Sequence, residues 1–322
     1  NSIVYNCIII SNSCNSVGYG GVFVGGGGGC GGVLYNCRIL NNSTITSGGG
    51  ACNGECYNCI IANNAARYGG GSFAGRLYNC TIIDNYAYNA GGGSFGGNIY
   101  NSIIYYNNAP YNANYEISTY DSCGYVCTTP LPSGAGNTTN EPGIVSLLNP
   151  CLFPESLCIN AGIYQDWMLE ATDIAGNSRV IGASVDIGAH ENGGAASQTG
   201  TITGTLIAPT NVARGYSLKI FAEIYGNIQG CIWTYGDGIR YTNTFLVEHC
   251  MYMDGDNYIL LSISNMSDTI IRTAIVHTVD NGFHYVKEDG ADGDAGTNWA
   301  SAKQAIQAAV DISLIGGHIL VS

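Results

Sequence analysis

Tyr57-Asn58-Cys59-Ile60-Ile61 is one of five versions of the same short phrase. The others are Tyr5-Asn6-Cys7-Ile8-Ile9, Tyr35-Asn36-Cys37-Arg38-Ile39, Tyr78-Asn79-Cys80-Thr81-Ile82 and Tyr100-Asn101-Ser102-Ile103-Ile104. The third residue falls at 7, 37, 59, 80 and 102, so the intervals are 30, 22, 21 and 22. Five residues further on stand Asn12, Asn42, Asn64, Asn85 and Asn107. Glycine runs separate the phrases: Gly48-Gly49-Gly50, Gly69-Gly70-Gly71 and Gly91-Gly92-Gly93. A period near 22 with apolar strand-like phrases and glycine corners marks a solenoid, in which each coil buries its apolar face only against its neighbours. Helical repeats are commonly longer and avoid glycine, so coils of strand fit better. The expected fold class is mainly β, with residues 1–107 forming a right-handed parallel β-helix.

Within a phrase, alternation puts Tyr and Cys on one face and Asn on the other. Cys and the second Ile (Cys59 and Ile61) are expected inside, with the Tyr inside or at a corner. Like residues then stack along the axis about 4.8 Å apart, and stacked Asn amides can hydrogen-bond from coil to coil. These Asn ladders either satisfy turns or face a carbohydrate. Gly25 to Cys30 mark an insertion in the first interval, read as an extended loop.

The bulk numbers agree with such a chain. Its 322 residues exceed one ordinary core. It has 47 Gly and 23 Tyr but only 10% charged residues, and its net charge is −13. Between residues 1 and 107 the charged side chains are Arg38, Glu55, Arg67, Arg76 and Asp84, so most of the acidity lies beyond the coils. An acidic surface repels phosphate backbones and argues against nucleic acid as a partner. No apolar run reaches membrane-spanning length. The chain opens at Asn1 and reads as a mature or excerpted segment.

Fourteen cysteines fall into two groups. Cys7, Cys37, Cys59 and Cys80 hold the ladder position and read as small buried hydrophobes. The rest group by proximity as disulfide candidates: Cys14 with Cys30, Cys52 with Cys56, Cys123 with Cys127, Cys151 with Cys158, and Cys231 with Cys250. Such density suggests an oxidising, extracellular setting, secreted or at a cell surface. No CxxC pair has the second half that a zinc site needs. Asn42, Asn137 and Asn265 head N-x-Ser/Thr sequons and are glycosylation candidates.

Residues 108–191 lose the period and collect six prolines, as irregular loops do. They end on Asp186-Ile187-Gly188-Ala189-His190-Glu191. This resembles the close of secreted β-helix proteins of the choice-of-anchor type, whose ending runs Asp-Ile-Gly-Ala-aromatic-Glu; His190 replaces the aromatic. The resemblance implies that 150–191 caps the last coil, with Asp173, Arg179, Asp186 and Glu191 as structural ion pairs. Residues 192–205 are small and polar and read as a linker. Beyond them Trp233-Thr234-Tyr235-Gly236-Asp237-Gly238, followed by His249-Cys250-Met251-Tyr252, resembles the PKD domain. That resemblance implies an immunoglobulin-like β-sandwich over 206–279 serving as a spacer or interaction module. Asp237 then makes a turn and Trp233 lies in the core.

Residues 280–322 give a strand (Phe283 to Lys287), an acidic loop, Asn298-Trp299-Ala300, a helix with Ser301 and Gln304 at capping-box spacing, and a strand from His318. Ala302, Ile306, Ala309 and Val310 are expected on one face of that helix. This resembles the opening of pectate-lyase-like β-helix proteins, placed here behind the coils that it would open. A lone strand and helix leave an apolar face uncovered, and the coil near Ile3 leaves another. The expectation is a head-to-tail contact between copies of the chain, through Ile3 and Tyr5 on one side and Ile306, Val310, Ile319 and Val321 on the other. Such heterologous contacts build open filaments. A non-polymerising adhesin or carbohydrate-binding surface protein is the alternative, with Tyr86, Tyr88, Tyr105, Tyr106 and Tyr111 available to stack on sugars. Catalysis is not expected, because glycosidic chemistry needs grouped carboxylates and the coils offer Asp84 with Arg67 and Arg76. Glu288, Asp289, Asp292 and Asp294 form a candidate calcium loop.

Overall fold

The structure is a computed structural model, and it describes residues 2–15, 26–147, 149–182, 184–192, 201–226, 228–250, 254–279, 283–295, 297, 299–312 and 318–321. The chain forms two compact units, 1–197 and 198–322.

The first unit is a β-solenoid of about five turns. Parallel strands stack in register on three faces. The first face holds Ile3–Tyr5, Val33–Tyr35, Glu55–Tyr57, Ser72–Tyr78 and Ser94–Tyr100, so that Tyr5, Tyr35, Tyr57, Tyr78 and Tyr100 lie one above another. The second holds Ile8–Ile10, Arg38–Leu40, Ile60–Ala62, Thr81–Ile83, Ile103–Tyr105 and Cys127–Thr128. The third holds Ser13–Cys14, Ser43–Thr44, Ala65–Tyr68 and Tyr86–Ala90. The stack therefore runs past residue 107 to Thr128, because Cys123–Gly124 and Cys127–Thr128 add strands to the first two faces even though the repeat phrase has faded. The extended loop expected at Gly25 to Cys30 is not found over the described residues 26–30: Gly27 and Gly28 N–H donate to Gly48 O and Gly49 O of the next coil, and Gly29–Cys30 is a short strand paired with Ala51–Cys52.

The corner between the first two faces explains the side-chain arrangement. Asn6, Asn36, Asn58, Asn79 and Asn101 all have φ near +50°, a left-handed conformation that Asn tolerates better than most residues. Each corner resets the alternation. Leu34, Cys56, Leu77 and Ile99 point inward from the first face, and Cys37 and Ile39, Cys59 and Ile61, and Cys80 and Ile82 line the interior after the turn. The tyrosines are consequently not inside. They stack on the outer surface, Tyr5 exposed and the others half-buried, with ring centroids 4.7–5.9 Å apart.

At the second corner the Asn ladder is continuous. Asn42, Asn64, Asn85 and Asn107 are buried. Each accepts, on Oδ1, the backbone and side-chain N–H groups of the ladder Asn one coil earlier, at 2.9–3.0 Å. Asn114 ends the series by accepting from Asn107. The glycine runs fit against this ladder. A Cβ on Gly71 would stand 2.6 Å from Gly93 O and 3.0 Å from Asn85 Nδ2.

The second unit contains two sheets over residues 203–279. Thr203–Ile207, Ser217–Tyr225 and Leu246–Cys250 form one; Asn211–Ala213, Thr269–Val279, Gly255–Ser264, Gly230–Tyr235 and Arg240–Thr242 form the other. Alternate residues are buried, among them Ile220, Ala222, Ile224, Trp233, Ile259, Leu261 and Ile263. Trp233 is in this core, its indole N–H donating to Thr244 O at 2.7 Å. The sheets begin at Thr203, inside the stretch read as linker; residues 193–200 of that stretch, with Met251 and Tyr252 of the His249 motif, lie outside the described residues. Phe283–Val286 pairs in parallel with His318–Val321, and Ile306–Val310 is a five-residue helix between them in sequence.

Candidate functional site

The first coil is one candidate surface. Ile3–Tyr5, Ile8–Ile10 and Ser13–Cys14 are terminal strands of their three sheets, each paired on one side only among the described residues. Ile3 and Tyr5 are 57% exposed and Ile8 is 65% exposed, while Val4 and Ile9 pack against the solenoid interior. Asn12 donates to Asn42 as the ladder requires. The interior pattern makes Asn12 Oδ1 the place where a further coil would donate.

The second candidate is the 283–321 segment. Val286 and Ala309 are buried, and Val321 is 58% exposed. In-register pairing puts Val321 beside Val286 and Ile319 beside His284, hence on the same face. The helix departs from expectation in two ways. Its N-cap is Ala305, which offers no side-chain cap, and the backbone N–H groups of Gln304 and Ala305 donate to Asp292 Oδ1 at 3.0 and 2.6 Å instead. Ser301 and Gln304 therefore do not form the capping box. Ala302 is buried but precedes the helix, and Ile306 and Val310 are exposed.

The acidic loop is organised by a lysine that the sequence reading passed over. Lys303 Nζ donates to Asp292 O at 2.8 Å and Asp294 O at 2.7 Å, holding the carbonyls that a hard cation would use. Glu288, Asp289, Asp292 and Asp294 are all exposed, and no three acidic, His or Cys side chains converge as ion ligands among the described residues. His284 is buried, and neither ring nitrogen is hydrogen-bonded among the described residues. Burial and the Lys303 charge push its pKa down.

Residues 150–191 do not merely cover the last coil. They run along the flank of the solenoid, across the corner asparagines. Asn36 donates to Thr172 Oγ1, Asn58 to Thr172 O, Asn79 to Asp186 O and Asn101 to Ile163 O. Trp167 packs its edge on Tyr57 at 4.9 Å, and Ala189 N–H reaches Thr81 Oγ1 at 3.0 Å. This strap is pinned by the carboxylates and the arginine singled out in the sequence. Arg179 is fully buried, donates to Asp186 O and Gly188 O, and pairs with Glu191 at 2.9 Å. Asp173 accepts from the N–H groups of Ala175, Asn177 and Glu191, and Asp186 from those of Asn160 and Asn192. Burial lifts Glu191 to about 7 against the pull of Arg179, and pushes buried His190 down to about 4.

The charged residues of the coils are scattered. Arg76 pairs with Glu55 at 2.7 Å, and Tyr57 Oη–H donates to the same carboxylate. Asp84 sits at a corner with φ +54° on the far side of the second face, and Arg67 lies 5.5 Å over the Tyr68 ring.

No disulfide links the described cysteines in this structure, the five pairs grouped by proximity in sequence included. The reason is the corner geometry: Cys123 lies on the first face and Cys127 on the second. Cys14 and Cys30 belong to the third and first faces, and Cys52 aligns with Cys30 rather than with Cys56. The thiols of Cys37, Cys59 and Cys80 donate to backbone carbonyls of their own coil and the one before. The sequon asparagines are committed to structure. Asn42 is buried inside the ladder, Asn265 is buried and accepts from Ser267 and Asp268 N–H, and Asn137 bonds Val126, Pro132 and Ser133.

Fold and sites together define a parallel β-solenoid with a flank strap, joined to a second β unit. Comparison with family models, curated proteins and solved structures gives no match for the chain. No helix is long and apolar enough to cross a membrane among the described residues.

Proposed function

We propose that this chain is a building unit of an extracellular fibre, in which residues 283–321 of one copy complete the β-solenoid of the next. The observation that carries the reading is the first coil: three terminal strands, exposed Ile3, Tyr5 and Ile8, and a ladder amide at Asn12 shaped to receive another coil. The strand-helix-strand segment supplies a complementary face in Ile319 and Val321 beside Val286. The partner is a second copy of the chain, whether a separate subunit or the next unit of a longer polypeptide. Residues 203–279 act as a spacer of the PKD kind, and the strap plays the part of a choice-of-anchor closing segment. The coils are scaffold rather than catalyst, since Glu55 is tied to Arg76 and Tyr57 and stands on a different face from Asp84.

Electron microscopy of the purified chain tests this. Filaments with an axial repeat of one unit are expected, and Ile8→Lys or Val321→Asp should return them to monomers with unchanged circular dichroism. Monomers at every concentration would sink the proposal. A second reading, adhesion to polysaccharide, draws on exposed Tyr86, Tyr88 and Tyr111 near the third face, with the first two rings edge-to-face at 5.0 Å. Glycan-array binding that is lost in Tyr88→Ala would favour it.

A further inference from the structure

Gly255–Ser264 pairs with Thr269–Val279 along its whole length, and Gly230–Tyr235 and Arg240–Thr242 extend the same sheet. One face of this sheet lies in the core of the second unit. The other carries Tyr258, Leu260, Ile271 and Ile275, which are 39–56% exposed, with half-buried Ile232 beside them. Charge is confined to the margins of that outer face: Asp256 and His277 are paired at one end, and Arg240 stands on the edge strand. The opposite sheet differs. Its outward residues set Lys219 beside Glu248 and Glu223 beside Thr205, the pattern of a solvated face. A contiguous apolar face with a polar rim marks an interaction surface.

Register identifies the occupant. The outward residues form four cross-strand rows. The first is Tyr258 with Ile275. The second is Thr234, Leu260 and Thr273, with Arg240 at the edge. The third is Ile232, Ser262 and Ile271, with Thr242 at the edge, and the fourth is Ser264 with Thr269.

We propose that this face binds the same face of a second copy of the chain, about a twofold axis that crosses the strands between the second and third rows. Such a contact is self-complementary: Leu260 lies against Ser262 of the second copy, and Ser262 against its Leu260. In the same way Ile271 meets Thr273, Ile232 meets Thr234, Tyr258 meets Ser264 and Ile275 meets Thr269. Each time a large side chain faces a small one. Arg240 faces Thr242 and is kept from its own copy. Two such faces interdigitate with the sheets about 10 Å apart. The footprint, four strands by four rows, is about 19 Å by 27 Å, or about 500 Å² per copy. A total of about 1,000 Å² is at the low end of specific interfaces. The dimer is therefore weak, with a dissociation constant on the order of 10–100 µM. It uses none of Ile3, Tyr5, Ile8 or Val321, so it joins chains side by side and not head to tail.

The test uses the full chain carrying Val321→Asp, so that side-by-side pairing is read apart from filament growth. If the unaltered chain forms no filaments, it serves equally well. Sedimentation equilibrium between about 1 µM and 1 mM should show reversible monomer and dimer. Ile271→Lys and Thr273→Glu both alter exposed positions, and each should weaken the dimer by about tenfold or more. An equimolar mixture of the two variants should recover it, because the axis brings the introduced charges together. Monomers across the whole range would overturn the proposal, as would dimers that either variant retains, or a mixture that stays monomeric.

Discussion

Arg179 and Glu191 form an ion pair shut off from solvent: Nη2 stands 2.9 Å from Oε2, with side-chain exposures of 0% and 1%. A buried pair is costly to assemble but costlier to break on one side only. Arg179→Met should therefore destabilise the first unit by about 3–5 kcal/mol, while Arg179→Met with Glu191→Leu should lose much less. Urea unfolding of the two variants checks this. Equal losses would mean that the pair is not the element that holds the strap.

His190 makes the same strap sensitive to acid. Its pKa falls to about 4 because burial disfavours the charged ring, with Arg38 and Arg179 adding repulsion and Asp173 opposing them. A depressed folded-state value means that the neutral ring is bound more tightly than the protonated one. The contribution is full above the unfolded value near 6.5 and is lost as pH falls toward 4. His190→Phe should flatten the stability profile over that window, the difference reaching on the order of 3 kcal/mol at its lower end. Parallel profiles for both proteins would refute it.

Asn85 both receives and donates in the ladder. It accepts from Asn64 N and Nδ2 and donates to Ile61 O, Ile83 O and Asn107 Oδ1, all within 3.0 Å. Asn85→Ala strands a buried N–H and two carbonyls, each costing about 1–3 kcal/mol. A total loss of about 3–5 kcal/mol is expected, measured by thermal unfolding.

Gly71 and Gly176 should respond unequally to alanine. Gly71 has a packed ladder within 3.0 Å of any Cβ, whereas Gly176 has open space and only a φ of +90°. Gly71→Ala should cost more than about 3 kcal/mol through displaced backbone, and Gly176→Ala about 1 kcal/mol through strain. Comparable melting temperatures for the two variants would show that the corner can relax.

Lys303→Met should loosen the acidic loop. It removes the ammonium from Asp292 O and Asp294 O, interactions worth about 1.5–3 kcal/mol each. Hydrogen exchange over residues 288–305 should accelerate, with the 203–279 sheets unaffected. Unchanged protection would show that Asp292 alone, through Gln304 and Ala305, holds the loop.

Much of the solenoid was readable because its signal is one-dimensional. Register between Tyr57 and Tyr78 follows from spacing alone, since parallel coils stack like on like. Asn42 and Asn64 announced their ladder in the same way. Of the two places open to Tyr57, inside or at a corner, it takes the corner, because a left-handed Asn58 breaks the alternation. The strap was legible as residues, Asp173, Arg179, Asp186 and Glu191, but not as a path. Asn58 to Thr172 and Asn79 to Asp186 span more than a hundred residues, and no local pattern encodes such partners. Lys303 escaped notice because its partners are backbone carbonyls, which carry no sequence signature.

The sequence alone determined the coil length, the stacking of identical residues and the glycine corners, because each of these follows from contacts between positions one period apart. Only the tertiary structure decided where the strap lies and what occupies the acidic loop. Those depend on distant segments meeting in three dimensions, where packing and burial select partners that spacing along the chain cannot specify.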